Sequence, residues 1–187
     1  MNTAFPHSYT WEELAEGPGS GSLHHYYYPG ASMKGGRDGI LIEVRPEFSR
    51  PWLGTFAFGE ITPKGVSGVF TMPNPHQLCV VARGAGYVVA ADDPTSWQPV
   101  RASPIIDVRP IPAHDIIVFA EYIRLIAYGR AGIRWETKRL SWDSLRITEV
   151  SDACIKGEFW DIRCESMETF SVDLTTGMHQ GGIQEPL

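Results

Sequence analysis

Short hydrophobic runs, each ending at turn-forming residues, recur along the chain from Gly39 onward. The runs are rich in Val, Ile, Phe and Tyr, and Gly, Pro, Asp or Asn stands at their boundaries, which is typical of β-strands joined by tight turns. Two of them, LCVVA and DIIVFA, are apolar on both faces and are expected to be covered on both sides. The pattern predicts strands over 40–44, 55–60, 66–71, 77–82, 87–91, 97–101, 105–110, 116–121, 124–128, 132–137, 144–150, 155–162 and 169–174.

The residues before Gly39 follow a different pattern. Thr10 to Glu16 is predicted to be a short helix, because Thr10 can cap it, Glu13 stands in the capping-box position and Gly17 can end it. The Gly-rich segments GPGSGS and PGASMKGGRDG flank the aromatic segment LHHYYYP. We therefore expect an N-terminal helix and Gly-rich aromatic arm over 1–39 and an all-β domain over 40–187, within one compact domain overall.

Two segments of the chain align without a gap at an offset of 38 residues, 66–103 with 104–141. The alignment matches identical residues (His76 with His114, Val80 with Val118, Ala82 with Ala120, Trp97 with Trp135, Arg101 with Arg139, Ser103 with Ser141). Apolar positions also correspond between these identities, as two copies of one supersecondary unit would show. Each copy is predicted to contain four strands.

A four-stranded unit of this length resembles a β-propeller blade. The resemblance covers 66–141, with a looser third copy at 159–177, and it is to the architecture, since the Gly-His and Trp-Asp signatures of the best-known propeller repeats are absent. A closed propeller has at least about four blades, and the chain beyond its N-terminal segment has length for three. The expected fold is all-β, with four-stranded repeats forming stacked sheets or a partial propeller-like body that another chain completes.

Composition narrows the classes of partner. The chain has 22 acidic and 16 basic residues, a net charge of −6, and no block of like charge. Nucleic-acid and anionic-membrane binding are disfavoured, because both usually require a basic face. Cys79, Cys154 and Cys164 have no CxxC spacing, which predicts unpaired thiols in a reducing, cytoplasmic compartment. The first residues lack a basic segment followed by an apolar run, so no secretory signal is expected.

The aromatic segment is the most unusual candidate site: His24, His25, Tyr26, Tyr27 and Tyr28 could bind a metal or stack on a planar ligand. The competing interpretation, which we favour, is that the tyrosines anchor the arm to the β body with their hydroxyls in water. Adjacent histidines on an extended chain point to opposite faces, so one ion is not expected to bind both. No metal site and no cofactor is predicted.

Other candidates are weaker. Arg130 and Arg134 share strand parity and could hold an anion. His76 and His114 are interpreted as structural turn residues, and Trp97 with Trp135 as packing residues. The acidic turn formed by Asp92 and Asp93 and the Gly-rich loop over 33–39 match turn chemistry better than metal-binding or phosphate-binding motifs.

No catalytic motif supports an enzyme. The leading hypothesis is therefore a non-catalytic cytoplasmic interaction or scaffold protein that binds a protein partner or associates with itself. The alternative is a small-molecule binding protein or hydrolase-like enzyme with its site between the aromatic arm and the β body. The ligand candidates in that case are His24, His25, Tyr26, Tyr28, Arg130 and Arg134.

Overall fold

The computed structural model describes residues 3–17, 23–33, 35–60 and 64–183. These residues form sixteen β-strands and one short 3-10 turn at Pro112–His114, without an α-helix. The all-β prediction is confirmed. Most of the predicted GPGSGS loop lies outside the described residues, as does Lys34.

The strands are arranged in four four-stranded sheets. The first sheet has the order β1-β3-β4-β2, from β1 (Tyr9–Leu14), β2 (His24–Tyr28), β3 (Gly39–Pro46) and β4 (Trp52–Ala57). The other three are antiparallel meanders. The second contains β5 (Gly68–Thr71), β6 (Gln77–Ala82), β7 (Ala85–Ala90) and β8 (Trp97–Pro99). The third contains β9 (Asp107–Ile111), β10 (Ile116–Ala120), β11 (Leu125–Gly129) and β12 (Gly132–Glu136). The fourth contains β13 (Leu145–Val150), β14 (Cys154–Asp161), β15 (Ser166–Asp173) and β16 (His179–Gly181).

The helix predicted from Thr10 to Glu16 is wrong, because this segment contains strand β1. All six residues of β1 pair antiparallel with β3, from Tyr9 opposite Pro46 to Leu14 opposite Leu41. Tyr9 is buried and Trp11 packs against the same core, so the apolar residues recur with the two-residue period of a strand. A capping box contributes one or two local hydrogen bonds, and the pairing of all of β1 with β3 outweighs them.

The aromatic segment is also a strand. β2 pairs in parallel with β4, from His24 opposite Trp52 to Tyr28 opposite Phe56, and forms an edge of the first sheet. Two parallel neighbouring strands need a crossover connection between them. In this sheet the chain makes that connection through β3, which follows β2 in the sequence and pairs with the far side of β4.

The two aligned segments each form one sheet, the second and the third, but their registers differ. Val80 of β6 faces Val69 and Tyr87, whose counterparts at the 38-residue offset are Asp107 and Leu125. Val118 of β10 instead faces Arg109 and Ala127. β10 is thus displaced by two residues against its neighbours. An even displacement leaves each side chain on its own face of the sheet, so both strands keep a buried pattern.

The chain divides into two compact units, Met1–Pro104 and Ile105–Leu187. In the first unit one core gathers buried side chains of the first two sheets, among them Tyr28, Phe56 and Leu78. In the second unit a separate core gathers those of the third and fourth sheets, among them Val118, Phe159 and Leu174. Each unit therefore consists of two sheets packed on a shared apolar interior. No described helix is long and apolar enough to span a bilayer.

Candidate functional site

The side chains of β2 alternate between the two faces of the first sheet, as strand geometry requires. Tyr28 is fully buried on the core side, where its ring stacks on Phe56 at 4.6 Å and its hydroxyl donates to the carbonyl oxygen of Pro94 at 2.9 Å. Tyr26 lies on the same side, edge-on to Trp52 at 5.9 Å. The predicted anchoring of the arm by tyrosines agrees with these contacts, although the hydroxyl of Tyr28 is bonded to protein.

His25 and Tyr27 lie on the other face, where their rings stack at 4.2 Å. One ring nitrogen of His25, Nε2, is 2.8 Å from the hydroxyl of Thr55, and the other, Nδ1, is 3.2 Å from the hydroxyl of Tyr27. Burial lowers the pKa of His25 and so favours the neutral form of its ring. A neutral imidazole donates one hydrogen bond and accepts one, which leaves one of the two hydroxyls with a free proton.

These three residues line an open groove of about 700 Å³ in the first unit. Its rim is formed by the segment at 36–39, by Phe58 and by Arg83 in the β6–β7 turn. The guanidinium of Arg83 lies over the ring of Phe58, 4.1 Å from its centre. The volume falls within the range of small-molecule sites.

The groove has a locally positive lining on a molecule of net negative charge. Arg37 and Arg83 both line it, and neither forms an ion pair with a carboxylate in the described part of the chain. Among the described residues of the lining, Asp38 carries the one carboxylate. The cation of Arg37 also acts on Tyr87, whose pKa is raised by burial and lowered in part by this charge.

The predicted site residues belong to different units. His24, His25, Tyr26 and Tyr28 belong to the first unit. Arg130 and Arg134 belong to the second unit, at the β11–β12 turn and on β12, where Arg134 donates to the carbonyl oxygen of His114 at 3.0 Å.

The two turn histidines make structural contacts. His76 is within hydrogen-bonding distance of the hydroxyl of Ser8 at 2.9 Å and of the Asp92 carboxylate at 3.2 Å. His114 Nε2 lies 2.5 Å from the carbonyl oxygen of Asp152. These partners fit the interpretation of both histidines as residues that fix turns. No group of three or more His, Cys, Asp or Glu side chains among the described residues is arranged to hold a metal ion.

One surface was missed by the sequence analysis. The β14–β15 hairpin exposes three apolar side chains close together in the chain: Trp160 at 39%, Ile162 at 64% and Met167 at 49% of their full area. Trp160 and Met167 are directly opposite each other in the pairing of β14 with β15, so they share one face. Glu165 is exposed in the turn next to them, whereas Glu168 is opposite Phe159 in the pairing and lies on the other face. Ile155, Gly157 and Phe159 alternate with Lys156 and Glu158 along β14, so Trp160 stands where the alternation expects an outward-facing residue. This pattern in the sequence could have indicated the face.

Comparison with known proteins adds little. No family model matches the chain, and no curated protein matches it. One similar solved structure is a complex of a S. cerevisiae Dbp5 variant bound to Nup159, a Gle1 variant, IP6 and ADP, with 10% identity and a TM-score of 0.43 over 100% of this chain and 55% of that chain. Another is the N-terminal domain of Nup159, with 12% identity and a TM-score of 0.41 over 98% of this chain and 53% of that chain. The chain spans about half the length of these solved chains.

Proposed function

We propose that this protein is a non-catalytic interaction module and that the outer face of the β14–β15 hairpin binds a partner protein. The observation that carries the proposal is the exposed group of Trp160, Ile162 and Met167 at the end of one hairpin. Trp and Met are enriched at protein interfaces, where a few such anchors supply most of the binding energy. A soluble monomer gains nothing from holding them in water.

Charge favours a different protein over a second copy. Glu165 is exposed in the turn of the hairpin, and Arg163 is already paired with Asp161 at 3.1 Å. In a two-fold dimer the same patch would face itself, and the two copies of the Glu165 carboxylate would repel each other. The partner we propose therefore presents apolar side chains and Lys or Arg.

We further propose a cytoplasmic location. Cys79, Cys154 and Cys164 are all free thiols, which is usual in a reducing compartment.

The interaction is tested by placing a photo-crosslinking residue at position 160 in cells, purifying the captured protein and measuring its affinity. The double variant Trp160→Ser, Met167→Ser should weaken binding by about tenfold to a hundredfold, the loss typical of interface hot spots. The matched control is Phe48→Ser, because Phe48 is an apolar residue that is 71% exposed elsewhere. Equal effects of the two changes, or no captured protein at position 160, would contradict the proposal.

A second candidate function is binding of a small organic anion in the groove beside β2. The lining by Arg37 and Arg83 favours it, because guanidinium groups bind carboxylates and phosphates through paired hydrogen bonds. Benzoate and phenyl phosphate are suitable probes, with benzyl alcohol as the uncharged control. Arg37→Gln or Arg83→Gln should weaken binding of the better probe about tenfold, and Arg50→Gln, outside the groove, should not. Equal binding of benzyl alcohol would exclude this candidate.

A further inference from the structure

A buried tryptophan holds the two sheets together in the same way in each unit. In the first unit, Trp52 of β4 donates its indole N–H at 2.8 Å to the carbonyl oxygen of Ala91, which follows β7. In the second unit, Trp135 of β12 donates at 2.8 Å to the carbonyl oxygen of Leu174, which follows β15. Both tryptophans lie in the first sheet of their unit, and both acceptors follow the third strand of the second sheet. β4 and β12 therefore each carry the tryptophan that joins the two sheets of their unit.

The edge beyond this strand differs between the units. In the first unit, β2 pairs in parallel along the whole of its length with β4. In the second unit, β12 is the last strand of its sheet, and no described strand pairs with its outer edge. The backbone N–H and C=O groups of such an edge can bind an extended segment of another chain. In the first unit, the strand that carries the tryptophan pairs at this edge with an aromatic segment, β2, in parallel.

The second unit has a cavity near the tryptophan that joins its sheets. In the first unit, Tyr28 of β2 lies between β4 and the turn after β7, since it contacts Phe56 and Pro94. In the second unit, a cavity of about 460 Å³ lies between the end of β12 and the turn after β15. It is lined by Glu136, Lys138 and residues 176–179.

Gly177 forms a wall of this cavity. Its backbone has φ +72°, and a Cβ atom there would lie 2.8 Å from the indole ring of Trp135. A glycine is therefore required both by the left-handed conformation and by the close approach of the ring. The turn after β15 is held against the tryptophan, and the cavity beside it keeps a defined shape.

The exposed charges along β12 are positive. Arg130, Arg134 and Lys138 are exposed, and the only carboxylate on the strand, that of Glu136, already accepts a hydrogen bond from Arg124. Arg134 uses one N–H group on the carbonyl oxygen of His114, and a guanidinium has five donors. A segment that pairs with β12 would meet this cationic row, so an acidic segment is complementary to it.

We propose that β12 binds an extended acidic segment of a partner protein in parallel, with one aromatic side chain of the segment entering the cavity beside Trp135. The inference rests on the proposed function as an interaction module and gives that module a second surface, independent of the β14–β15 hairpin. It also assigns a role to Arg130 and Arg134, which would bind carboxylates of the segment.

The test uses the full-length protein and the synthetic peptide EEYEYEE, in which tyrosines alternate as Tyr26 and Tyr28 do in β2. Fluorescence anisotropy of the labelled peptide gives Kd, and amide chemical shifts give the site. Binding should shift the amides of β12 and of residues 176–179. A spin label on the peptide should broaden signals near Gly132 when placed at its N-terminus and near Glu136 when placed at its C-terminus, as parallel pairing requires.

Variants separate the contributions of charge and cavity. The double variant Arg134→Glu, Lys138→Glu should raise Kd about tenfold or more, whereas Arg50→Glu should not. Met178→Trp should block the cavity and weaken binding, and Met33→Trp is its control, since both methionines are largely exposed and neither supports the core. The peptide EESESEE should bind about tenfold more weakly than EEYEYEE, because it lacks the aromatic anchor.

Several results would overturn the inference. The peptide EEYEYEE could fail to bind, or EESESEE or KKYKYKK could bind as tightly as EEYEYEE. The amide shifts could be confined to another surface, or Arg50→Glu could weaken binding as much as the double variant Arg134→Glu, Lys138→Glu. Concentration-dependent dimerisation through β12 that the peptide cannot displace would assign the edge to a second copy. The variant Trp160→Ser, Met167→Ser should bind the peptide normally. Failure at β12 with retained hairpin-dependent binding would therefore refute this inference and leave the proposed function in place.

Discussion

Three tyrosine hydroxyls connect the two sheets of the first unit. Tyr9 donates to the carbonyl oxygen of Gln77 at 2.7 Å, Tyr28 to that of Pro94 at 2.9 Å, and Tyr87 to that of Ala57 at 2.9 Å. Each bond joins a residue of one sheet to the backbone of the other sheet or of the turn that follows its third strand. Burial is the main reason that the pKa values of all three tyrosines are raised.

These raised pKa values predict how stability changes at alkaline pH. The neutral phenols are favoured in the folded state, so their contribution is complete below the ordinary tyrosine pKa of about 10 and is lost as pH rises from there through the folded pKa values. We expect the free energy of unfolding to fall above about pH 10. Phenolate absorbance of the folded protein should stay below the value for all seven tyrosines of the chain.

The control for this prediction is Tyr27→Phe, because the Tyr27 hydroxyl lies on the groove face and, among the described residues, bonds to His25 alone. This change should leave the alkaline loss of stability unaltered. If all seven tyrosines ionise together near their ordinary pKa while circular dichroism stays native, the three buried hydroxyls are not protected as the structure requires.

At the scale of strands, the sequence pattern located most of the strands but did not show which strands pair with each other. The predicted strand 77–82 matches β6 at both ends, and twelve other predicted ranges overlap a strand of the structure. Hydrophobic period and turn residues are local, so they can be recognised without knowing the neighbours. The capping box at Thr10 is also a local signal and predicts a helix. The pairing of β1 with β3, which decides its conformation, is not local.

The candidate site was less predictable, for the same reason. The unusual composition of HHYYY drew attention to β2, and His25 does line a groove. Its partner Thr55 is 30 residues away in the chain. Arg83 lines the groove because the β6–β7 turn lies at its rim, a placement that depends on the packing of two sheets.

At the scale of the molecule, the three cysteine side chains differ widely in their exposure to solvent. Cys79 is fully buried in β6, Cys154 is partly buried, and Cys164 is exposed in the β14–β15 turn. Burial raises the pKa of Cys79, against a smaller opposite effect of a backbone hydrogen bond from Tyr87. Because the thiolate is the reactive form, Cys79 is protected from thiol reagents in two ways: its sulfur is inaccessible, and its raised pKa keeps it protonated.

We therefore expect one rapid reaction of the native protein with a thiol reagent, at Cys164, and reaction of Cys79 only when its core opens. Denatured protein under non-reducing conditions should titrate three thiols. Cys164→Ser should remove the rapid phase and leave the Cys79 phase unchanged, while added denaturant should accelerate the Cys79 phase in step with loss of circular dichroism. A native-state reaction of Cys79 as fast as that of Cys164 would contradict the packing of β6.

The long-range bonds of the N-terminal segment have a consequence for biosynthesis. Phe5 donates its N–H to the hydroxyl of Thr71, and Tyr28 bonds to Pro94, each across 66 residues of chain. At about 5–20 residues per second, the ribosome needs roughly 3–13 s to make that length. During this interval β1 and β2 have no second sheet to cover them, and their aromatic side chains stay accessible. A chaperone that binds aromatic segments should therefore crosslink to the nascent chain at Tyr26 and Tyr28 until residue 94 has emerged, and release it afterwards.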